Sequence, residues 1–350
     1  MLSGYHRWFL FLLLLLTACS STLSGSSTSA SSRITVYSSL PSDSIEDFLA
    51  VFRREHPTIE VDLVFDTAQQ LTDDIIASGE APVADVIWGL PVANALQLEW
   101  LDRLKPYAPA NLHRIDPRFR DPANPPHWVG TAARVLVFCV NRERMAELNL
   151  PIPNSWQALS DPMYQGQITF PFPPTAGSGY LVLATAFQQF GNADGWQYVE
   201  TLDSSVERYS EDARVACEIP ARGDIPIGIS FDYRAVQRVE AGDPIEIVYP
   251  TDGAGWDVEV NALVRKPIIN PSAHIFLDWA ISETAVNEYA KVREVLTINY
   301  DDTATANPIS TDALLDEDIP WIAANRERIM REWTALYADK AQVIPLSDIE

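Results

Sequence analysis

The stretch GDIPIGISFDYRAVQRVEAGDPIEIVYPTDGAGWDVE, residues 223–259, decides how this chain reads. Two apolar runs, 225–231 and 245–249, read as strands, and the segment between them has the length of a helix. Strands alternating with helices imply βαβ units and a mainly parallel sheet. In open α/β sheets ligands bind beyond the carboxyl ends of the strands. Ser230, Asp232 and Tyr233 sit where the first strand ends, and Asp257 and Glu259 follow a glycine-rich turn. The stretch therefore reads as one wall of a small-molecule cleft.

The same alternation extends upstream. Residues 33–39 (RITVYSS) form a strand ending in two hydroxyls. A helix follows, with Ile45, Phe48, Leu49 and Phe52 at i, i+3, i+4 and i+7, and Asp43 and Glu46 placed as a capping box. Residues 59–65 alternate as a strand, 68–78 read as a helix, and 84–88 (ADVIW) as a third strand. Residues 107–128 are proline-rich and read as a surface loop. The run 132–141 (AARVLVFCVN) is a buried strand, either within a sheet or crossing between lobes. The last helix, 322–337, carries Ile322, Ile329, Trp333 and Leu336 on one face, which suits docking rather than chemistry.

His6 and Arg7 precede the apolar run 8–16, which closes on Leu16-Thr17-Ala18-Cys19. A short basic head, an apolar core and small residues at the cut site mark a secretory signal over 1–19. The ending resembles a bacterial lipobox, which makes Cys19 the expected lipidated residue. Residues 20–32 are almost all Ser, Thr, Gly and Ala, a flexible tether. No later run approaches the length of a membrane span, so the expected membrane contact is the acyl chain alone. The net charge of −23 argues against a nucleic-acid partner, whose phosphates need a basic surface. A small anion in a closed cleft is compatible with it, because surface charge is screened within about 10 Å. Cys139 and Cys217 are either a disulfide, expected in an oxidising compartment, or two buried thiols.

The five histidines are scattered, without the spacing of a helical metal pair, and neither a GxSxG elbow nor a phosphate loop with its lysine occurs. The expectation is a binder, not an enzyme, needing no cofactor or metal. Ser38 and Ser39, just before a helix, can cradle an anionic oxygen or merely turn the chain. Ser178 and Gly179, in TAGSGY before another helix, repeat that chemistry. Asp232 and Glu259 are candidates for a ligand cation, or else solvated loop acids. Tyr233 and Trp88 can wall the pocket, and Trp88 also suits a core.

Taken in order, RITVYSSL, ADVIWGL, SWQALSDPMYQGQI, GSGY, GDIPIGISFDYRA and PIEIVYPTDGAGWDVE resemble an extracytoplasmic solute-binding protein of an ABC importer. The branch it resembles holds ferric-iron, sugar-phosphate and 2-aminoethylphosphonate binders, and the last look most similar. The resemblance implies an α/β, type II periplasmic-binding-protein fold: two lobes, each a mainly parallel sheet flanked by helices, joined by a two-strand hinge. The expected first lobe is 33–131 plus 265–350, and the second is 132–264. It implies a monomer that delivers a phosphonate or phosphate-bearing compound to membrane permease subunits. The phosphonate would sit on Ser39, Ser178 and Gly179, and the amine near Asp232 or Glu259. Related phosphonate binders carry a cysteine pair like Cys139 and Cys217. Ferric binders carry two adjacent tyrosines, where this chain has Phe231-Asp232-Tyr233 and only Tyr233 could bind iron. An iron binder and an extracytoplasmic phosphohydrolase are the alternative readings.

Overall fold

Val, Ala, Leu and Phe follow one another in residues 128–141 without polar alternation, the pattern of a strand covered on both faces. In the computed structural model, which describes residues 32–298 and 313–349, Trp128–Asn141 is indeed a single long strand, and Arg134 is its one position that is not fully buried. In chain order the leading elements are β1 (Ser32–Ser38), α1 (Ile45–Glu55), β2 (Ile59–Phe65), α2 (Ala68–Ala77), β3 (Val86–Pro91), α3 (Val92–Trp100), β4 (Leu104–Lys105) and that strand, β5. Then come α4 (Arg142–Leu148), α5 (Trp156–Leu159), β6 (Ile168–Thr169), α6 (Gly177–Phe190), α7 (Asn192–Ser205), β7 (Tyr209–Ser210), α8 (Ala213–Arg222) and β8 (Ile227–Phe231). The chain continues through α9 (Asp232–Glu240), β9 (Ile245–Val248), β10 (Trp256–Val264), α10 (Pro271–Ala280), α11 (Glu283–Tyr289), β11 (Val295–Leu296), α12 (Ile319–Tyr337) and β12 (Val343–Ile344).

The strand order is β2-β1-β3-β10-β5-β8-β6, with β9 also on β5. β5 belongs to both halves. Its first part pairs with β10, from Trp128 opposite Ala262 to Val135 opposite Trp256, and its second part pairs with β8 and β9. β1 runs parallel to β2 and β3, as expected, and β6 runs parallel to β8. β10 and β5 are antiparallel to each other and to their other neighbours, which makes the whole sheet mixed. The two antiparallel strands carry the chain out of one lobe and back, so they form the two-strand connection of a type II binding-protein fold.

Two large cores follow. One is built on β1, β3 and β10 with α1, α10 and α11; the other lies around α6, α7 and β8. Two expected boundaries move. β10 contributes Val258, Val260 and Leu263 to the first core, so the second lobe does not extend to residue 264. α12 was expected with the first lobe, yet Ile322, Ile329 and Trp333 lie in the second core. The reason is aromatic packing: the fully buried Trp333 meets Phe172 and Tyr209 with ring centres 5.6 and 5.5 Å apart. The capping box also fails. Asp43 does not cap α1 but accepts from Arg234 Nη1 at 3.0 Å, from the opposite lobe.

Cys139 on β5 and Cys217 on α8 form a disulfide, buried against Val137 and Ala235. Residues 1–31, with Cys19 and the tether, lie outside the described residues. The disulfide closes a loop of sequence separation 78, so replacing both cysteines by alanine is expected to lower unfolding free energy by about 4 kcal/mol in the chain-entropy model. Denaturant melts of the parent and the double variant measure this, and equal midpoints would refute it.

Candidate functional site

A cleft of about 1350 Å³ lies between the two cores. Ser39, after β1, and the start of α3 line one side; residues 173–178, Tyr233 and Arg234 line the other. One face of α12 completes the wall, including Ile322, Arg326 and Met330. Five arginines (Arg134, Arg214, Arg234, Arg326 and Arg331) line it against four acids (Asp66, Asp212, Asp257 and Glu327). In a chain of net charge −23, the cleft lining carries one more arginine than acids.

At the cleft floor the crossing strands hold a buried ionic cluster. Arg293 donates to Glu259 through Nε at 3.1 Å and Nη2 at 2.9 Å. Arg134 Nη2 donates to Asp257, and its Nε lies 4.0 Å from Glu259. Burial works against the charge on both arginines, but the carboxylates beside them hold the pKa of each above its ordinary value. Aromatic rings complete the cluster. Arg134 sits 4.9 Å from the Phe231 ring centre, and Arg293 and Arg234 sit 4.7 and 4.8 Å from that of Tyr233. Such cation–π contacts hold the rings and guanidiniums in fixed relative positions.

The sequence-derived residues have different fates. Ser39, Ser178 and Tyr233 line the cleft. Ser38 does not: it is fully buried and donates to Trp88 O at 2.6 Å. Trp88 is core, packed with Phe276 and Trp279 and donating to Tyr289 Oη at 3.1 Å. The Gly179 N–H bonds Ala176 O, and a Cβ there would meet Pro171 O at 2.2 Å, so this glycine serves the loop's own packing. The N–H groups of Gly177 and Ser178, in the first turn of α6, have no backbone partner and remain for an anion.

Asp232 and Glu259 face protein rather than ligand. Glu259 is spent on Arg293. Asp232 is 1% exposed, and its Oδ1 accepts from Val135 N at 3.3 Å and Tyr233 N at 2.9 Å, while Oδ2 has no partner. Burial pushes its pKa up to about 7, against the pull of those two N–H groups. Sequence reading missed the arginines. Arg134 had a visible signal, being the one charged residue in an apolar strand; Arg326 had none, because α12 read as a docking helix.

Residues 81–314 match the model of the bacterial extracellular solute-binding protein family. The chain belongs to that family. Its members are extracytoplasmic binding proteins that take small ligands and hand them to ABC permeases. An uncharacterized protein of Haemophilus influenzae is 27% identical over 327 residues, 91% of this chain and 94% of its own length. The Fe(3+)-binding periplasmic protein of Serratia marcescens is 22% identical over 263 residues, 72% of this chain and 74% of its own. The periplasmic binding protein AfuA from Actinobacillus pleuropneumoniae, solved with fructose-6-phosphate, superposes with a TM-score of 0.78. It is 24% identical, covering 88% of this chain and 99% of AfuA, and supports the fold.

Two variants test these placements. A carboxyl whose pKa is raised by folding is held neutral, so its contribution to stability is greatest at acid pH. That contribution falls as pH rises from about 4 and levels off once the folded group ionises near 7. Asp232→Asn should therefore flatten the stability-versus-pH curve over that window and melt higher than the parent at pH 8. A curve parallel to the parent's would place Asp232 in solvent. Glu259→Gln leaves Arg293 buried and uncompensated, a loss of about 3–5 kcal/mol of stability without any ligand. An unchanged melting temperature would return Glu259 to the ligand.

Proposed function

We propose that this protein captures a small phosphonate- or phosphate-bearing organic compound, of the 2-aminoethylphosphonate type, and delivers it to an ABC permease. It does so as a monomer held at a membrane by lipid on Cys19. The observation that carries the reading is the arginine-lined cleft in a strongly acidic chain. Arginine presents a planar fork of donors that matches phosphate oxygens. The free amides of Gly177 and Ser178, at the positive end of a 14-residue helix, add donors of the same sense, and Ser39 faces them from the other lobe. The cleft volume leaves room for an organic body beyond the anionic head. Asp232 and Glu259 are engaged within the protein, so an amine on the ligand falls to Asp66, Asp212 or Glu327, the cleft acids that form no ion pair among the described residues.

Tyr233 and the Serratia relative keep ferric iron as the competing reading. A hard ferric ion favours several anionic oxygens. Tyr180, the other tyrosine of the cleft wall, spends its hydroxyl on Ile322 O at 2.5 Å. Asp257 is likewise held by Arg134.

The test is a thermal-shift panel of 2-aminoethylphosphonate, sugar phosphates, inorganic phosphate and chelated iron. A ligand at 100 times its Kd stabilises by about 2.7 kcal/mol, a clear rise in melting temperature. A phosphonate or phosphate ester is expected to give that rise. Ser178→Ala should weaken it several-fold and Arg134→Gln by about 100-fold, the scale of a lost charged hydrogen bond. A visible tyrosinate-to-iron colour with no response to any phosphorus compound would install the iron reading instead. Steady release of phosphate from a bound ester would install the phosphohydrolase.

A further inference from the structure

Outside the cleft lining, a second group of side chains converges on one point. Glu99 in the last turn of α3 meets Asp121 and His127 from the proline-rich loop, and one donor atom of each lies within 4.8 Å of the others. His127 Nδ1 is 2.8 Å from Asp121 Oδ2 and 3.4 Å from Glu99 Oε1. Ligands bound to one ion at about 2.0–2.2 Å stand roughly 3 Å apart, the same spacing. We propose that Glu99, Asp121 and His127 form a site for one divalent first-row transition ion, such as Zn(II) or Co(II), separate from the solute cleft.

The surrounding contacts favour this use of the three groups. Trp128 Nε1 donates to Glu99 Oε2 at 3.1 Å, and Ala123 N donates to Asp121 Oδ1 at 2.9 Å. Glu99 thus has one oxygen tied to the scaffold and the other turned toward the imidazole, and Asp121 turns its Oδ2 toward the imidazole with Oδ1 tied. His127 N also donates to Asp121 Oδ2 at 2.7 Å, which fixes the loop against its own ligand. Outer hydrogen bonds of this kind hold ligand groups in place around a metal. The charge is suited to a cation as well. Among the described residues neither carboxylate pairs with a lysine or arginine, and the C-terminal end of α3 adds partial negative charge. Glu99 and His127 keep side-chain exposures of 22% and 24%, so an ion can enter from solvent. Two oxygens and one imidazole nitrogen with open positions suit a transition ion better than calcium, which takes oxygen alone.

The consequence is mechanical. Glu99 belongs to α3, whose Gln97 and Trp100 line the cleft. An ion at this point would pin loop 121–127 to the end of that helix and stiffen one wall of the solute site.

The experiment uses the protein purified without an affinity tag. Co(II) is titrated and followed by its visible d–d absorption, and Zn(II) by calorimetry. One equivalent is expected to bind, with His127→Ala and the isosteric Glu99→Gln each weakening binding at least tenfold. Tyr233→Phe, in the cleft, is expected to leave it unchanged. Zn(II) should raise the melting temperature of the parent and not that of His127→Ala. Equal affinity in both metal-site variants, no saturable binding by the parent, or loss of binding in Tyr233→Phe would each overturn the proposal. The last would place the ion in the solute cleft.

Discussion

Everything in this molecule turns on what happens where β5 and β10 cross between the lobes. Two guanidiniums, Arg134 and Arg293, and two carboxylates, Asp257 and Glu259, meet there; Arg293 and Glu259 are buried, while Arg134 and Asp257 are half-buried at the cleft floor. Desolvating the Arg293 and Glu259 charges is costly, and only close pairing offsets it. The pairing is possible because β5 and β10 run antiparallel in a register that sets Asp257 opposite Arg134 and Glu259 opposite Ala132. β11 lies on the other side of β5 and brings Arg293 alongside. The cluster therefore depends on three strands from distant parts of the chain. In return it specifies how those strands sit, since a slip of one residue would turn each charge to the wrong face.

The same cluster forms the floor of the cleft, so architecture and binding share residues. Arg134 is at once a member of the buried network and a lining residue, and Tyr233 carries two guanidiniums against its ring. Electrostatically, the lining of the groove, five arginines against four acids, departs from the strongly acidic balance of the whole chain. Charges at the groove act on a ligand at short range, while the surface charge is screened within about 10 Å. The overall charge thus says little about the charge of the ligand.

Where sequence reading failed, it failed for a consistent reason. Asp232 follows the end of β8 and Glu259 follows a glycine-rich turn into β10, places where ligand-reading carboxylates sit, and nothing local shows that Val135 N–H and Arg293 already claim them. Trp88 closes the apolar run 84–88 in the sequence, but it lies inside β3, and α10 and α11 bring Phe276, Trp279 and Tyr289 over it. Gly179 carries the glycine of an anion loop, yet its missing side chain makes room for Pro171 and Pro173. Each of these residues has a partner far away in the chain, and residue type and spacing cannot reveal such a partner.

The sequence by itself determined the alternation of strands and helices, the buried strand over 132–141 and the two serines, Ser39 and Ser178, that enter the cleft. These follow from periodicity, apolar runs and helix starts, all of them properties of neighbouring residues. Only the tertiary structure decided that β5 crosses between the lobes, that Cys139 and Cys217 pair, which core holds the apolar face of α12, which acids are spent inside the protein and which arginines gather at the cleft. Those outcomes rest on packing and charge pairing between segments separated by up to hundreds of residues, as with Trp88 and Tyr289, 201 positions apart. Local propensity carries no term for such contacts.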